Sequence, residues 1–315
     1  MQTLPLLTWP ANIHAIDAGY IRPGLAAIHL IVEEGRVAVV ETAHNAALPR
    51  FLAALAQLGL APEAVDYVFL THVHLDHAGG AGAYMARLPN AKLVAHPRGA
   101  RHMIDPARLF AGTAEVYGLE NARRLYGDPV PVPPEKVIEA ADEQVFALAG
   151  RPLRCLYTPG HAKHHLCLWD ERARACFTGD AFGIAYREMG VSGDPFLIPA
   201  TTPTQFDPEA MKASIHRLLA LEPEAMYLTH FSRVDDVARL GADLLRRIDA
   251  FTALAQAAPG EGKARKDAIH ASIKQYLLDE APPERREWLE PVLEVDMELD
   301  AQGLACWREQ NKNVG

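Results

Sequence analysis

The chain has 315 residues, of which 49% are hydrophobic and 23% charged, which excludes a disordered protein and allows one large domain or two ordinary ones. Its formal net charge of -9 disfavours a polyanionic partner such as DNA, although it leaves room for a local basic rim. We therefore expect a globular protein without a nucleic-acid partner.

The N-terminal segment and the cysteines bear on the cellular compartment. Residues 1–10 have no basic residue ahead of a short apolar run, and no apolar stretch approaches the ~18 residues of a membrane-spanning helix. The 4 cysteines are widely spaced and include no CxxC pair, as in proteins whose thiols stay reduced. We expect a cytoplasmic protein with no signal peptide, no membrane partner and no disulfide framework.

Apolar runs in the first third of the chain alternate between strand and helix patterns. Residues 26–32 and 37–41 are predicted strands on either side of a Glu-Gly turn. Residues 46–58 have apolar side chains at helical spacing and end before a glycine. The apolar run 67–71 predicts a buried strand that leads directly into a His-rich segment, and residues 93–95 resume the strand pattern.

The middle of the chain is irregular at first and then returns to strands. Residues 97–134 have the composition of short helices and a loop, and residues 181–206, rich in Gly, Pro and Thr, are predicted to form a long loop that lines a pocket. Asp207 is the predicted N-cap of a helix. The remaining predicted elements here are strands at 153–158, 166–169 and 173–178, a helix at 208–221 and a final strand at 225–229.

The chain changes character near residue 232. Beyond it, helical composition predominates and is interrupted by two proline-containing breaks. We therefore divide the chain into a domain at residues 1–232 and a helical C-terminal extension at residues 233–315. The predicted helices of this extension span residues 234–256, 263–278 and 283–289.

One segment carries a high density of metal-ligating side chains. His72, His74, Asp76 and His77 lie within six residues, immediately after a predicted strand. An extended chain points His72 and His74 the same way, so that they can share a metal ion. The turn through Asp76 and His77, eased by the glycines that follow, aims these two side chains at a second position. Imidazole nitrogen and carboxylate oxygen suit zinc, and also iron or manganese.

Four side chains cannot complete two metal sites, so further ligands must come from elsewhere in the chain. His161 follows one predicted strand in a Thr-Pro-Gly-His sequence, Asp180 follows another in Phe-Thr-Gly-Asp, and His230 follows the last in Tyr-Leu-Thr-His. Strand ends at one rim of a sheet are where functional groups usually gather. This shared placement makes all three residues candidate ligands.

The order of these motifs resembles that of the metallo-β-lactamase superfamily, over about residues 15–232. The resemblance implies an α+β fold, a four-layer αββα sandwich, with two divalent metal ions, expected to be zinc, at one edge of the paired sheets. It implies that the first ion is bound by His72, His74 and His161, the second by Asp76, His77 and His230, and both by a bridging Asp180.

The resemblance also implies roles beyond metal binding. Asp76 is expected to be the catalytic residue that accepts a proton from the attacking water and returns it to the leaving group. His165, four residues after His161, matches the second His of the GHxxGH pattern of glyoxalase II-like and lactonase-like members, where it supports a ligand. His164 occupies a position that often holds Gly in that pattern.

Hydrolysis is the chemistry that such a site favours. Two metal ions bring the pKa of a shared water towards neutrality and polarise a carbonyl or phosphoryl oxygen of the substrate. The sequence has no GxSxG, Walker A or GxGxxG motif that would favour another mechanism. In the predicted loop, Tyr186, Phe182 and Phe196 are candidates either for contacts with the substrate or for packing of the loop.

The main hypothesis for the substrate is a thioester, as in glyoxalase II or the acyl-coenzyme A hydrolases of this superfamily. A helical extension fits that class, because in glyoxalase II such helices help to form the site for the thiol carrier. A lactonase is the alternative. The acidic charge weighs against an RNase Z-like phosphodiesterase, and the expected lack of a signal peptide against a secreted β-lactamase. Five cations of the extension either bind an anionic tail or form a solvated helix face: Arg246, Arg247, Lys263, Arg265 and Lys266.

Two hypotheses lie outside hydrolysis. One is an iron-dependent oxidoreductase similar to persulfide dioxygenases, which use a single iron, whereas the intact set of seven ligands favours two ions. The other is a binding protein that has lost turnover, for which a missing ligand would be the mark. In each case we expect a small-molecule partner. Phe251, Trp288 and Trp307 are candidates for a homodimer interface or a lid.

Overall fold

The predicted strands pair into two β-sheets. The computed structural model describes residues 6–191, 194–201 and 204–311. The prediction that no signal peptide is present falls partly on residues 1–5, which lie outside the described residues. So do residues 192–193 and 202–203 of the predicted loop, and residues 312–315. The first sheet has seven strands, ordered as in the chain. They are β1 (Leu7–Trp9), β2 (Ile13–Asp17), β3 (Ala27–Glu33), β4 (Arg36–Val40), β5 (Val65–Phe69), β6 (Lys92–Ala95) and β7 (Val137–Glu139).

The second sheet has six strands and runs in the order β13-β12-β11-β10-β9-β8. Its neighbouring strands are antiparallel except for one parallel pair, which brings the carboxyl ends of β11 and β12 to the same edge. These strands are β8 (Val145–Leu148), β9 (Arg151–Tyr157), β10 (Leu166–Asp170), β11 (Ala175–Gly179), β12 (Ala225–Leu228) and β13 (Ser232–Val234).

The two sheets pack face to face, and side-chain alternation along each strand sorts the apolar residues. On β4, Ala38 and Val40 belong to the core between the sheets, which also contains Phe177 of the second sheet. Val37 and Val39 face the other way and pack against helices. This period of two is the pattern of a strand that is buried on both faces.

Helices cover both outer faces of the paired sheets. Phe51 and Tyr84 anchor the helices on the first sheet, and Ile215 and Leu244 anchor those on the second. The four-layer αββα arrangement and the C-terminal helices are thus confirmed. The helices are α1 (Leu48–Gln57), α2 (Leu75–Ala78), α3 (Ala81–Arg87), α4 (Pro97–Ile104), α5 (Ala107–Tyr117), α6 (Leu119–Tyr126), α7 (Pro208–Leu219), α8 (Val237–Ala257), α9 (Gly262–Glu280) and α10 (Arg286–Asn311).

Every predicted strand is present, with ends that differ by two residues at most. Asp207 caps α7 as expected, since its carboxylate accepts the backbone N–H of Ala210 at 3.0 Å. Five short strands were not predicted, namely β1, β2, β7, β8 and β13. The last of these crosses the boundary that we placed at residue 232, and the division into two domains stays a prediction.

The last helix is much longer than the predicted 283–289. A short 3-10 turn at Pro283–Arg285 leads into α10, which continues through Pro291 to Asn311. Proline in a helix removes one hydrogen bond, here to the carbonyl of Glu287, but the buried face of α10 carries Leu293 and Met297 into the core. Tertiary packing therefore outweighs the local break. None of the helices in the described part of the chain is long and apolar enough to cross a bilayer.

Candidate metal centre

The His-rich segment forms the passage from β5 to α2. His72 and His74 alternate along extended backbone, and His74 (φ -60°, ψ 147°) occupies the N-cap position of α2. Asp76 and His77 lie in the single turn of α2 that follows. The helix begins here, so these two side chains point to a different place from the extended pair, as the sequence indicated.

The other three predicted ligands come from the second sheet. His161 lies in the loop after β9, Asp180 follows β11 directly, and His230 lies two residues beyond β12. All three are buried. The structure therefore brings every one of the seven predicted side chains to one edge of the paired sheets.

Asp180 lies between two groups of imidazoles. Its Oδ2 is 3.4 Å from Nε2 of His161 and 4.0 Å from Nε2 of His72. Its Oδ1 is 3.4 Å from Nε2 of His77 and 3.8 Å from Nε2 of His230. One carboxylate thus presents one oxygen to each group, which is the geometry that a bridging ligand requires.

The ligating atoms form compact sets. Three sets of candidate ligand atoms among the described residues each lie within 4.8 Å of one another. Two of them are the sets that the resemblance implies, and the third joins Glu41 to His72 and His77. Their role as metal ligands stays a prediction. The first set is His72, His74 and His161, and the second is Asp76, His77 and His230.

Glu41, at the carboxyl end of β4, is a further member of this region that the sequence reasoning missed. It is fully buried, and its Oε1 accepts a hydrogen bond from the hydroxyl of Thr71 and lies 3.1 Å from Nδ1 of His77. A carboxylate that orients an imidazole in this way raises its basicity towards a metal. The signal was a single acidic residue directly after the apolar run of residues 37–40.

The histidine rings are held from their outer side. Nδ1 of His161 donates to the carbonyl of Ala200 at 3.0 Å, and Nδ1 of His230 donates to that of Leu25 at 2.7 Å. These bonds fix each ring so that Nε2 faces the cluster.

Several buried polar atoms inside the cluster have charged neighbours at 3.4 to 4.0 Å but no hydrogen bond within the described residues. Buried Nε2 of His72 and of His77, and Oδ1 of Asp180, make no hydrogen bond there. Unpaired buried polar atoms are costly unless an ion or a water contacts them. Together with a donor set of five imidazoles and two carboxylates, this fits two divalent cations of the zinc type.

Protonation equilibria also favour cation binding in the first set. Burial and the neighbouring histidines lower the pKa of His72 well below its usual range and that of His74 to about 3. Burial opposes ionisation of Asp180, but the facing imidazoles of His77 and His161 hold its pKa well below the ordinary value. The set therefore presents neutral imidazoles and an ionised carboxylate, the forms that bind metals.

In the second set, the nearby carboxylates outweigh burial and favour protonated imidazoles. Burial opposes the charged form of His77, yet the carboxylates of Asp180, Asp76 and Glu41 raise its pKa well above 6.5. The pKa of His230 is also raised, because Asp76 and Asp180 outweigh burial. A cation that binds here must displace protons, so its affinity depends on pH.

His165 supports the cluster as predicted. It is buried, its Nδ1 pairs with the hydroxyl of Thr158 at 2.8 Å, and its Nε2 accepts the backbone N–H of Asp180 at 3.3 Å. This contact holds the start of the loop that carries the bridging carboxylate.

The three aromatic residues of the predicted loop have packing roles. Phe182 and Phe196 are buried in the core between the second sheet and its helices. Tyr186 donates from its hydroxyl to Oδ1 of Asp296 at 3.1 Å. The structure thus favours packing over contact with a substrate for all three.

A cavity of about 730 Å³ opens beside the cluster, and His74, Asp76 and Asp180 form part of its wall. This volume suits a small organic ligand. Most of the remaining wall comes from α4, α5 and the loop after His161, with Tyr126 of α6, Thr204 and Gln205 ahead of α7, and Leu299 of α10. Apolar side chains such as Leu75 and Leu109 alternate with polar and cationic ones.

Comparison with known proteins agrees with this architecture. The chain is 28% identical over 223 residues to metallo-β-lactamase fold-containing protein ST1585 of Sulfurisphaera tokodaii. The aligned region covers 70% of this chain and 78% of that protein. It is 31% identical over 116 residues to an atrochrysone carboxyl ACP thioesterase of Aspergillus fumigatus, covering 37% of this chain. The match spans only 27% of that thioesterase.

Solved structures share the fold over almost the whole chain. The crystal structure of ST1585 superposes with a TM-score of 0.64 at 22% identity and covers 97% of this chain and 100% of its own. The metallo-β-lactamase family protein TTHA1429 from Thermus thermophilus gives a TM-score of 0.61 at 20% identity, covering 99% of this chain and 93% of its own. The family model of the metallo-β-lactamase superfamily matches residues 21–230, a span that contains all seven predicted ligands. The chain therefore belongs to the metallo-β-lactamase superfamily.

Proposed function

We propose that this protein is a metal-dependent hydrolase that cleaves an ester-type bond, most readily a thioester. The observation that carries the proposal is the placement of Asp180 between two sets of ligating atoms, at the wall of a cavity of about 730 Å³. Neither Ser nor Cys is among the described residues that line this cavity. A nucleophile supplied by water therefore fits the site better than a covalent mechanism.

The two sets of side chains would each hold one cation, with Asp180 contacting both. We propose zinc, while iron and manganese also suit these ligands. When bound, two such ions supply a hydroxide nucleophile at neutral pH and polarise the oxygen of the scissile bond.

Asp76 is the proposed catalytic residue. Its Oδ2 lies 3.5 Å from Nε2 of His77 and 3.4 Å from Nε2 of His230, and its side chain retains 24% exposure at the cavity wall. Imidazoles on one side and the cavity on the other allow this carboxylate to accept a proton from water and return it to a leaving group.

One observation supports a thioester over other esters, and a second supports an acyl substrate in general. Among the curated relatives, the Aspergillus fumigatus protein and thioesterase pkgB of Emericella nidulans carry thioesterase names, although both matches are short. The cavity wall also includes apolar side chains such as Leu75, Leu109 and Leu299, which suit an acyl chain.

A substrate panel tests the proposal. Purified protein with a measured metal content is assayed with thioesters and lactones of matched acyl length and with a generic phosphodiester. We expect the highest kcat/KM for a thioester. We expect an Asp76→Asn variant to bind the second ion more weakly and to lose turnover even after reconstitution to the metal content of the wild type. Faster hydrolysis of a lactone would replace the thioester proposal. A single bound iron with no hydrolysis at all would favour the oxidoreductase hypothesis.

A further inference from the structure

Four cations surround the cavity beside the metal centre. Arg98 and Arg101 lie on α4, Arg108 on α5 and Lys163 in the loop after His161, and all four contribute to the cavity wall. Each side chain is exposed. We call these four residues the basic rim.

The cations of the basic rim are unpaired. Within residues 6–191, 194–201 and 204–311, none of the four has a carboxylate within 4.0 Å of its charged group or a side-chain hydrogen bond. A protein with a net charge of -9 has ample carboxylates to neutralise such groups. That these four cations remain unpaired is therefore a property of this face of the molecule.

The cations of the C-terminal extension behave differently. The side chain of Arg246 pairs with Glu280 at 2.5 Å, and Lys266 pairs with Glu298 at 2.5 Å. Lys263 contacts Asp267 at 2.6 Å. Arg247 and Arg265 are bound to backbone carbonyls. The extension thus supplies partners for its own cations, which favours the basic rim over the extension as an anion site.

The electrostatic field around the rim is positive. Burial and the charges of Arg101 and Arg108 lower the pKa of the neighbouring His102, which lies in the same wall. Outside the metal cluster, Glu115 is the one acidic side chain among the described residues of the wall. Asp76 and Asp180 also belong to this wall, and the cations that they would hold offset their charge. The four cations of the rim then face one further carboxylate, which leaves a net attraction for an anion.

We infer that the basic rim binds phosphate on the thiol part of the substrate, so that the substrate is an acyl thioester of a phosphate-bearing thiol. Guanidinium groups match phosphate oxygens in paired hydrogen bonds, and several cations are needed to balance a phosphate dianion. The apolar part of the same wall receives the acyl chain. This inference rests on the proposed function for the scissile bond. Coenzyme A and the phosphopantetheine arm of a carrier protein share the required chemistry.

The first experiment compares three octanoyl thioesters, those of coenzyme A, of a carrier protein and of uncharged N-acetylcysteamine. The Arg101→Gln/Arg108→Gln variant is measured beside an Arg246→Gln/Lys263→Gln control, which loses the same charge from paired residues. In the rim variant, we expect kcat/KM for a phosphate-bearing ester, relative to the uncharged one, to fall at least about tenfold. In the control we expect this ratio to stay within about twofold of the wild-type value. Of the coenzyme A and carrier-protein esters, the one whose relative kcat/KM falls more in the rim variant identifies the thiol part of the substrate.

A binding experiment separates this inference from the proposed hydrolysis. Desulfo-coenzyme A lacks the sulfur that would contact a metal, and its affinity is measured by calorimetry at low and high salt. We expect binding that is at least about tenfold weaker in the rim variant and that weakens with salt. Such binding without cleavage of any thioester would contradict the proposed function and leave the phosphate site standing. The inference would be overturned if the rim and control variants, equal in folding and metal content, also had equal kcat/KM for the three thioesters and equal affinity for desulfo-coenzyme A.

Discussion

Asp180 and Asp300 are both buried aspartates, yet the protein surrounds them in opposite ways. Asp180, at the edge of the paired sheets, faces imidazoles on both oxygens, which hold its pKa well below the usual value. Asp300, on α10, accepts hydrogen bonds from the backbone and hydroxyl of Thr201. No cation faces it among the described residues, and burial raises its pKa well above the usual value.

This difference separates a cation site from an ordinary buried acid. The sheet edge favours ionised carboxylates and leaves several inward-facing atoms without a hydrogen bond among the described residues. On α10, burial instead disfavours the ionised form of Asp296 and Asp300. Burial of a charged group is costly in both regions. The cost at the sheet edge is offset when cations bind, so we expect substitutions there to change metal content and those on α10 to change stability.

The largest effect is expected from Asp180→Ala. Loss of the carboxylate that contacts both sets should remove at least one ion per chain and lower kcat/KM by about a thousandfold. Metal analysis and the thioester assay measure the two losses together. Asp207→Ala is a suitable control, because it removes the cap of α7 at a cost of about 1 kcal/mol but should leave metal content unchanged. Wild-type turnover in Asp180→Ala would remove this residue from the site.

Glu41→Gln tests whether a carboxylate that contacts the candidate ligand His77 strengthens metal binding. The substitution keeps the size of the side chain but removes the negative charge that faces Nδ1 of His77. We expect metal affinity at the second set to fall by about 10- to 100-fold, as for other groups that orient a ligand. Competition with a chelator measures the affinity. An unchanged value would show that Glu41 serves packing alone.

Asp296→Asn tests whether burial on α10 disfavours an ionised carboxyl group. Burial raises the pKa of this carboxyl to about 6, so the native state disfavours the ionised form. Wild-type stability should therefore fall as pH rises from about 4 to 6, and Asn should remove that fall. We expect the variant to be more stable by roughly 2 kcal/mol at pH 7 and by little near pH 4, measured by urea unfolding. A variant less stable than wild type at pH 7 would contradict this account.

His29→Gln provides the matching test for a buried histidine outside the cluster. His29 lies between the sheets, its Nε2 pairs with the hydroxyl of Ser232 at 2.9 Å, and burial lowers its pKa to about 3. The unfolded chain takes up a proton below about pH 6.5, so wild-type stability is lost as pH falls from there towards 3. Relative to the variant, we expect a wild-type loss of roughly 2 kcal/mol between pH 7 and pH 5. Parallel pH profiles would show that His29 is not kept neutral.

The sequence predicted which side chains cluster at the sheet edge better than it predicted their surroundings, for physical reasons. Candidate ligands such as His72 and His74 lie in short motifs at strand ends, where local geometry fixes their direction. Glu41 is one acidic residue with no pattern around it, so its role emerges only when β4 and β5 pair. Whether a cation is unpaired, as Arg101 is among the described residues, or paired, as Arg246 is, depends on neighbours far along the chain. The length of α10 depends on packing that compensates for its internal proline.

The most direct test of the central claim is the metal content of the purified protein, measured together with thioester hydrolysis during chelation and reconstitution. We expect about two divalent ions per chain, parallel loss of ions and activity on chelation, and recovery of both when zinc is returned. Full hydrolytic activity in protein stripped of its ions would contradict the account.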